Sequence, residues 1–145
     1  MPITFTNNFK NILDKLRGIL RTEFKGSLPV YIGRNDKIEG SQYLRLEPIG
    51  NELIEYNTLG EIREFEINMI YFFADPNVNK TSTDYVLRML SRIEALIHDN
   101  LTMGLADSSR CFNCRIENTT LNALDQENEY VVNFLWKGQH QGNLS

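Results

Sequence analysis

The sequence predicts an α+β domain in which two amphipathic helices pack on one face of a β-sheet that is antiparallel or mixed. Two segments, near residues 9–24 and 82–97, repeat apolar residues at every third or fourth position, as the buried face of a helix does. Several other segments alternate apolar and polar residues, as half-buried strands do. Tight connections between strands favour antiparallel pairing. The predicted order of elements is α-β-β-β-α-β-β.

A single domain is expected from the length and composition of the chain. It has 145 residues, of which 41% are hydrophobic and 23% charged, and this lies within the usual size of one domain. No repeat, low-complexity run or linker divides the sequence. We therefore predict one domain over residues 1–138, followed by a flexible polar tail over residues 139–145.

The first helix follows a short polar segment in which Thr6 or Asn7 is the expected N-cap. Gly26, Ser27 and Pro29 end it. Its predicted buried face consists of Phe9, Ile12, Leu13, Leu16, Ile19, Leu20 and Phe24. Its other face is basic and carries Lys10, Lys15, Arg17, Arg21 and Lys25.

Three or four strands are predicted before the second helix. Residues 29–33 form a short first strand, and residues 42–47 form an alternating strand that Pro48 interrupts. Residues 53–57 form a further short strand. The strongest signal covers residues 61–73, where apolar side chains occupy the odd positions from Phe65 to Phe73.

The second helix is predicted over about residues 82–97, with Thr81 or Ser82 as its cap. A strand over residues 111–117 follows it, then a polar connection over residues 118–128. The last strand covers residues 129–137 and places Tyr130, Val132, Phe134 and Trp136 on one face.

Cys111 and Cys114 fit the C-x-x-C pattern, but the rest of the sequence does not favour a metal or redox centre. A structural zinc ion takes four ligands. The only histidines are His98, at the predicted end of the second helix, and His140, in the predicted tail. On a strand, an odd separation points two side chains to opposite faces. We therefore predict two ordinary strand cysteines, with no metal and no cofactor.

No motif indicates catalysis, and we predict that the protein is not an enzyme. The sequence lacks both the G-x-S-x-G motif of a serine nucleophile and a glycine-rich phosphate loop. Glu64 and Glu66 share a strand face and could in principle act as an acid and a base. The alternative is a solvated or interface-facing strand surface, which we favour.

Charge is distributed unevenly along the chain, whose net charge is −4. Residues 1–25 hold five basic and two acidic residues, a net of +3, whereas residues 47–75 hold one basic and seven acidic residues, a net of −6. The overall acidity disfavours a general nucleic-acid binder, and no apolar stretch is long enough to span a membrane. The candidate residues for a subunit interface or a channel wall are Glu52, Glu55, Glu61, Glu64 and Glu66.

Opposite charges of this kind could join neighbouring copies head to tail in a ring, with another acidic band lining its hole. The alternatives are that the acidic hairpin adds a strand to the sheet of a neighbouring copy, or that both charged faces are merely solvated.

The order of elements resembles that of the tail terminator or tail completion proteins of long-tailed bacteriophages. The resemblance covers roughly residues 7–138. It rests on the helix opening at Phe9, the strand FEINMIYFF (Phe65–Phe73) that leads through Asp75-Pro76 into the second helix, and the closing strand EYVVNFLWKG (Glu129–Gly138). The longer polar segment at Asn118–Asn128 and the strand-like LIEYN (Leu53–Asn57) depart from that pattern.

The resemblance implies a structural virion protein and a homo-oligomer, commonly a hexameric ring, at the head-proximal end of a phage tail. Such a ring terminates the tail tube and provides the joining surface for the head. Its implied partners are the tail tube protein and the head-tail connector protein, while DNA passes through without specific binding. The implied location is the virion, and the host cytoplasm during assembly.

Two alternatives remain open from the sequence. The first is another head-tail adaptor, neck or tail tube subunit, which would also self-associate but would bind different partners. The second is a small ligand-binding or enzymatic α+β domain, which would present a concave apolar site with converging polar groups.

Overall fold

The computed structural model describes residues 6–33, 42–58, 60–74, 82–123 and 129–143. In chain order the elements are α1 (Asn8–Phe24), β1 (Val30–Ile32), β2 (Gln42–Asn57), β3 (Gly60–Ala74), α2 (Ser82–His98), β4 (Met103–Gly104), β5 (Arg110–Ala123) and β6 (Glu129–Asn143). The predicted α+β class is confirmed, and the two-residue β4 is the one described strand that the sequence patterns did not indicate.

The strands form one sheet in the order β1-β2-β3-β6-β5-β4. β1 runs parallel to β2, and every other neighbouring pair is antiparallel. The sheet is therefore mixed. The long hairpin of β2 and β3 and the long strand β6 form its centre.

Both helices supply the side chains that cover one face of the sheet. From α1 the fully buried residues include Ile12, Leu16 and Leu20, and from α2 they include Val86 and Ile93. The strands contribute their alternate residues to the same core, namely Leu44 and Leu46, then Phe65, Ile67, Met69 and Tyr71, and then Val132, Phe134 and Trp136. The predicted period-two alternation of β3 and β6 is confirmed.

Local capping fixes the ends of α1. The side-chain oxygen of Asn7 accepts a hydrogen bond from the backbone N–H of Lys10 at 3.1 Å, so Asn7 is the N-cap. At the other end Lys25 and Gly26 both have positive φ, 50° and 86°. This left-handed turn stops the helix.

The break predicted at Pro48 is wrong, because β2 is one continuous strand from Gln42 to Asn57. Its pairing with β3 shifts register between Pro48 and Gly50, and again between Leu53 and Glu55. Proline is tolerated at sheet edges and at bulges. Both conditions hold here, since β1 pairs with β2 only as far as Leu46.

One predicted polar connection and most of the predicted tail form strands instead. β5 continues to Ala123, so residues 118–123 of the predicted connection are paired, and residues 124–128 lie outside the described part of the chain. The predicted flexible tail is wrong for Gln139–Asn143, which extend β6 and pair with Gly60–Glu64 of β3. Residues 144 and 145 lie outside the described residues. Polar side chains were mistaken for an unpaired backbone.

Candidate functional site

The far half of β2 lies at the edge of the sheet, paired with β3 on one side, and carries exposed apolar side chains. The exposed fractions are 56% for Ile49, 45% for Leu53, 48% for Ile54 and 63% for Tyr56. β1 pairs with residues 44–46 only, so among the described strands β3 is the one neighbour of this half of β2. We refer to residues 49–56 as the hairpin arm. A free sheet edge with exposed apolar residues is a typical protein contact surface.

Two of the five acidic candidates lie on the hairpin arm. The side chains of Glu52 and Glu55 are exposed, and neither forms an ion pair with any described residue. The arm therefore combines apolar side chains with two uncompensated carboxylates.

The other three acidic candidates are neutralised within the sheet. Glu61 pairs with Arg63 at 3.0 Å, and Glu66 pairs with Lys137 at 3.3 Å. The acidic band predicted from the charge count is therefore not a uniform negative surface.

Glu64 is at the centre of this network. The residue is 9% exposed, and its carboxylate accepts hydrogen bonds from Arg115 at 3.2 Å and from Gln139 at 3.1 Å, with Lys137 at 3.9 Å. Side chains of β5 and β6 surround the carboxylate on the subunit. Little of the Glu64 side chain is therefore exposed in the single subunit.

The electrostatics of Glu64 follow from these contacts. Burial alone raises the pKa of a carboxyl group, but the hydrogen bonds from Gln139 and Arg115 and the charges of Arg115 and Lys137 outweigh it, so the pKa of Glu64 lies below its ordinary value. Burial likewise opposes the charge of Arg115, but Glu64 and Glu117 raise its pKa. The network is a charged, structural cross-link between β3, β5 and β6.

A groove with an apolar floor lies beside the N-terminal half of α1. It has a volume of about 340 Å³ and is lined by Phe9, Leu13, Ile32 and Pro48, with Asn7, Lys10 and Asp14 at its polar rim. Lys10 and Asp14 form an exposed ion pair at 3.2 Å. Because Ile32 is the last residue of β1, the groove opens where the sheet edge passes from β1 to β2.

Lys10, Arg17 and Arg21 are spaced by seven and four residues and so lie on one stripe of α1. Lys10 lines the groove, and the Arg21 guanidinium reaches the carbonyl oxygen of Val30 at 3.4 Å. One end of this basic stripe therefore lies at the groove and the other end lies beside β1.

Cys111 and Cys114 lie together, contrary to the prediction that they point to opposite faces. Both residues are fully buried, and their sulfur atoms are 3.6 Å apart. The pairing of β5 with β6 shifts register between Phe112 and Arg115, and Asn113 has φ of 55°. This bulge inserts an extra residue and so brings both thiols to the core side.

The cysteine pair has the properties of a packed core group. The hydrogen bond between the two thiols and burial raise the pKa of Cys111, whereas the same hydrogen bond lowers the pKa of Cys114. Burial of both side chains is therefore what shields the pair from reagents. Among the described residues, no group of three or more histidine, cysteine, aspartate or glutamate side chains is arranged to hold a metal ion.

His140, predicted in a tail, is instead 4% exposed on β6. Its Nε2 atom is 3.0 Å from the hydroxyl oxygen of Ser109, while Asp107 accepts hydrogen bonds from the Ser109 hydroxyl and, at 3.0 Å, from its backbone N–H. Because the single hydroxyl proton goes to Asp107, the imidazole must donate to Ser109. With His140 donating to Ser109 and Ser109 donating to Asp107, the histidine does not act as a base for the hydroxyl. These hydrogen bonds hold the turn before β5 against β6.

The comparisons with known proteins concern the fold. No model of a protein family matches the sequence, and no curated protein is significantly similar to it. A chain from the virion of a native gene transfer agent particle has a TM-score of 0.62 and 9% identity, and the match covers 95% of this chain and all of that one. A second solved chain, whose name states no function, has a TM-score of 0.62 and 16% identity, with 97% and 100% covered. Both chains share the overall α+β fold over nearly the whole length.

Within the described residues, no helix is both long enough and apolar enough to cross a membrane.

Sequence reasoning missed the hairpin arm and the groove. The exposed apolar residues Ile49, Leu53, Ile54 and Tyr56 lie on one long edge strand, which the predicted break at Pro48 divided. The groove brings α1, β1 and β2 together, and no local pattern indicates that contact.

Proposed function

We propose that the protein is a structural component of a phage-like virion. It forms a ring, expected to be hexameric, at the head-proximal end of a tail. The ring terminates the tail tube and provides the surface to which the head-tail connector protein binds. Its role is association, and no bond is made or broken.

The observation that carries this proposal is the fold shared with a chain of a virion particle over 95% of this chain and the whole of the other. Near-complete coverage in both directions means that the shared fold is the whole α+β domain rather than a fragment of it. The order of elements, which resembles that of tail terminator proteins, supports the finer assignment.

The surface chemistry is compatible with such a ring. The hairpin arm exposes apolar side chains, and covering them with another subunit would lower the free energy of the protein in water. The chain has a net charge of −4, so a ring of several copies repels the DNA that passes through it rather than binding its phosphates.

The first test is the mass of the purified protein by sedimentation, followed by negative-stain images. A closed ring with an open centre is expected. A compact monomer with a small molecule held in a polar cavity would contradict the proposal and favour a ligand-binding domain.

The second test separates the terminator from the other virion roles. The purified protein is mixed with preassembled tubes of the tail tube protein from the same genome. Rings are expected at one end of each tube. Incorporation along the tube would identify a tube subunit, and binding to the connector alone would identify a neck adaptor.

A further inference from the structure

We infer that the hairpin arm of one copy docks into the groove beside α1 of the next copy. This contact rests on the proposed function, since it is the interface through which the ring would close. The proposed contact would cover the apolar side chains of the arm, which the single subunit leaves exposed.

The two surfaces are chemically complementary. The arm presents Ile49, Leu53, Ile54 and Tyr56, each at least 45% exposed, and the groove has a floor of Phe9, Leu13, Ile32 and Pro48. The exposed carboxylates of Glu52 and Glu55 match the basic stripe of Lys10, Arg17 and Arg21, whose three positive charges exceed the one carboxylate of Asp14 at the rim of the groove. Apolar burial would supply affinity, and the opposite charges would fix the orientation.

The geometry excludes docking within one chain. Pro48 lines the groove, and the arm leads away from it along a strand that ends at Asn57. At about 3.3 Å per strand residue, Tyr56 at the end of the arm is roughly 26 Å along the strand from Pro48. The occupant of the groove therefore comes from another molecule, and a second copy carries the complementary apolar and acidic surface.

The contact is also heterologous, because the arm and the groove are different surfaces of the same chain. A subunit that offers both can bind one neighbour through each. Repetition of such a contact generates a closed ring or an open filament.

The test uses two charge-reversed variants. Variant one carries Glu52→Lys and Glu55→Lys on the arm, and variant two carries Lys10→Glu and Arg17→Glu above the groove. Each variant alone places like charges across the contact, and the concentration needed for half-assembly is expected to rise on the order of tenfold or more. An equimolar mixture places opposite charges across every contact, so assembly by sedimentation is expected to return to the wild-type level.

Asp99→Lys is the matched control, since Asp99 is an exposed acid directly after α2 that neither lines the groove nor belongs to the arm. It is expected to assemble as the wild type does. Circular dichroism and thermal unfolding establish that each variant folds, and all four exchanged residues of the two variants are at the surface or half-buried on α1 and β2.

The failure of this inference is distinguishable from the failure of the proposed function. If the wild-type chain forms rings and both variants form them equally well, the arm-to-groove contact is wrong while the proposed ring stands. If the wild-type chain stays monomeric, both proposals fail. If charge reversal abolishes assembly and mixing restores it, but the assembly is a filament or a dimer that does not cap tubes, the contact stands and the terminator role fails.

Discussion

The indole ring of Trp136 lies over the Cα of Gly138 on the core side of β6. A Cβ atom at position 138 would be 2.8 Å from Trp136 Cζ2 and 2.9 Å from the sulfur of Cys111, which is closer than real side chains approach. Trp136 and Cys111 are both fully buried. The missing side chain of Gly138 is therefore part of the core packing.

Gly138→Ala is expected to destabilise the fold by about 1–3 kcal/mol, the usual cost of overpacking a core. The added methyl group must displace either the indole ring or the Cys111 thiol, and neither has free space. The measurement is the midpoint of urea unfolding.

Gly142→Ala on the same strand is the matched control. A Cβ there meets only Glu61 Cγ at 4.0 Å, an ordinary contact, so its stability should change by less than about 0.5 kcal/mol. Equal effects of the two substitutions would show that the space around Gly138 is not limiting.

Much of the core was predictable because one face of each element is buried. The three-and-four spacing from Ile12 to Phe24 and the alternation from Phe65 to Tyr71 are local patterns, and each identifies its buried face without knowledge of the partner. The same reasoning failed at Gln139–Asn143, because the pairing of that segment depends on β3, a strand nearly eighty residues earlier in the chain. A strand segment without apolar side chains, such as Gln139–Asn143, lacks the alternation of apolar and polar residues that identifies a strand in a sequence.

The bulge at Asn113 explains a different error. Side chains alternate between the two faces of a strand only while its register is regular, so the expectation that Cys111 and Cys114 point to opposite faces needs an uninterrupted register. A single extra residue reverses the faces of everything beyond it, and the sequence gives no indication of it other than an asparagine, which tolerates positive φ better than most residues.

Glu64→Gln is expected to lower the free energy of unfolding at neutral pH by about 1–3 kcal/mol, because Arg115 and Lys137 lose their shared carboxylate. The loss depends on pH. Since the folded-state pKa of Glu64 lies below its ordinary value near 4.5, its contribution is complete above that value and disappears as the pH falls through the lowered pKa. The wild type and the variant should therefore converge in stability at low pH.

Urea unfolding from neutral pH down to the acid limit measures this convergence. Glu55→Gln is the control, because Glu55 is exposed and forms no ion pair with a described residue, and it should follow the wild type at every pH. A constant difference between the wild type and Glu64→Gln would contradict an electrostatic origin.

Charge reversal distinguishes the two groups of acidic candidates. Glu64→Lys places a third cation beside Arg115 and Lys137 and is expected to destabilise the fold more than Glu64→Gln does. Glu52→Lys alters an exposed residue and should leave the urea midpoint nearly unchanged. A triple reversal of Glu61, Glu64 and Glu66 therefore tests stability rather than assembly, and the arm residues are the appropriate ones for testing assembly.

The two cysteines should not react with a thiol reagent such as Ellman's reagent while the chain is folded. Both are fully buried, so a reagent reaches them only when the structure opens and labelling requires unfolding. At high reagent concentration the labelling rate should become independent of concentration, because opening of the structure is then the slow step. A cysteine introduced by Ser91→Cys, at an exposed position of α2, should react at once. Rapid labelling of the native pair would indicate that the bulge opens locally.

Substitution of alanine for Gly18, within α1, and for Gly26, just after α1, should change the stability of the fold in opposite directions. Gly18 is exposed in the middle of α1, and a Cβ there would meet nothing within 4 Å, so Gly18→Ala should stabilise the protein by about 0.5–1 kcal/mol through helix propensity. Gly26 also has free space, but its φ is +86°, so Gly26→Ala should cost about 1–2 kcal/mol of backbone strain. Because available space is the same at both positions, opposite shifts of the urea midpoint would isolate the backbone conformation as the cause, and shifts of the same sign would contradict it.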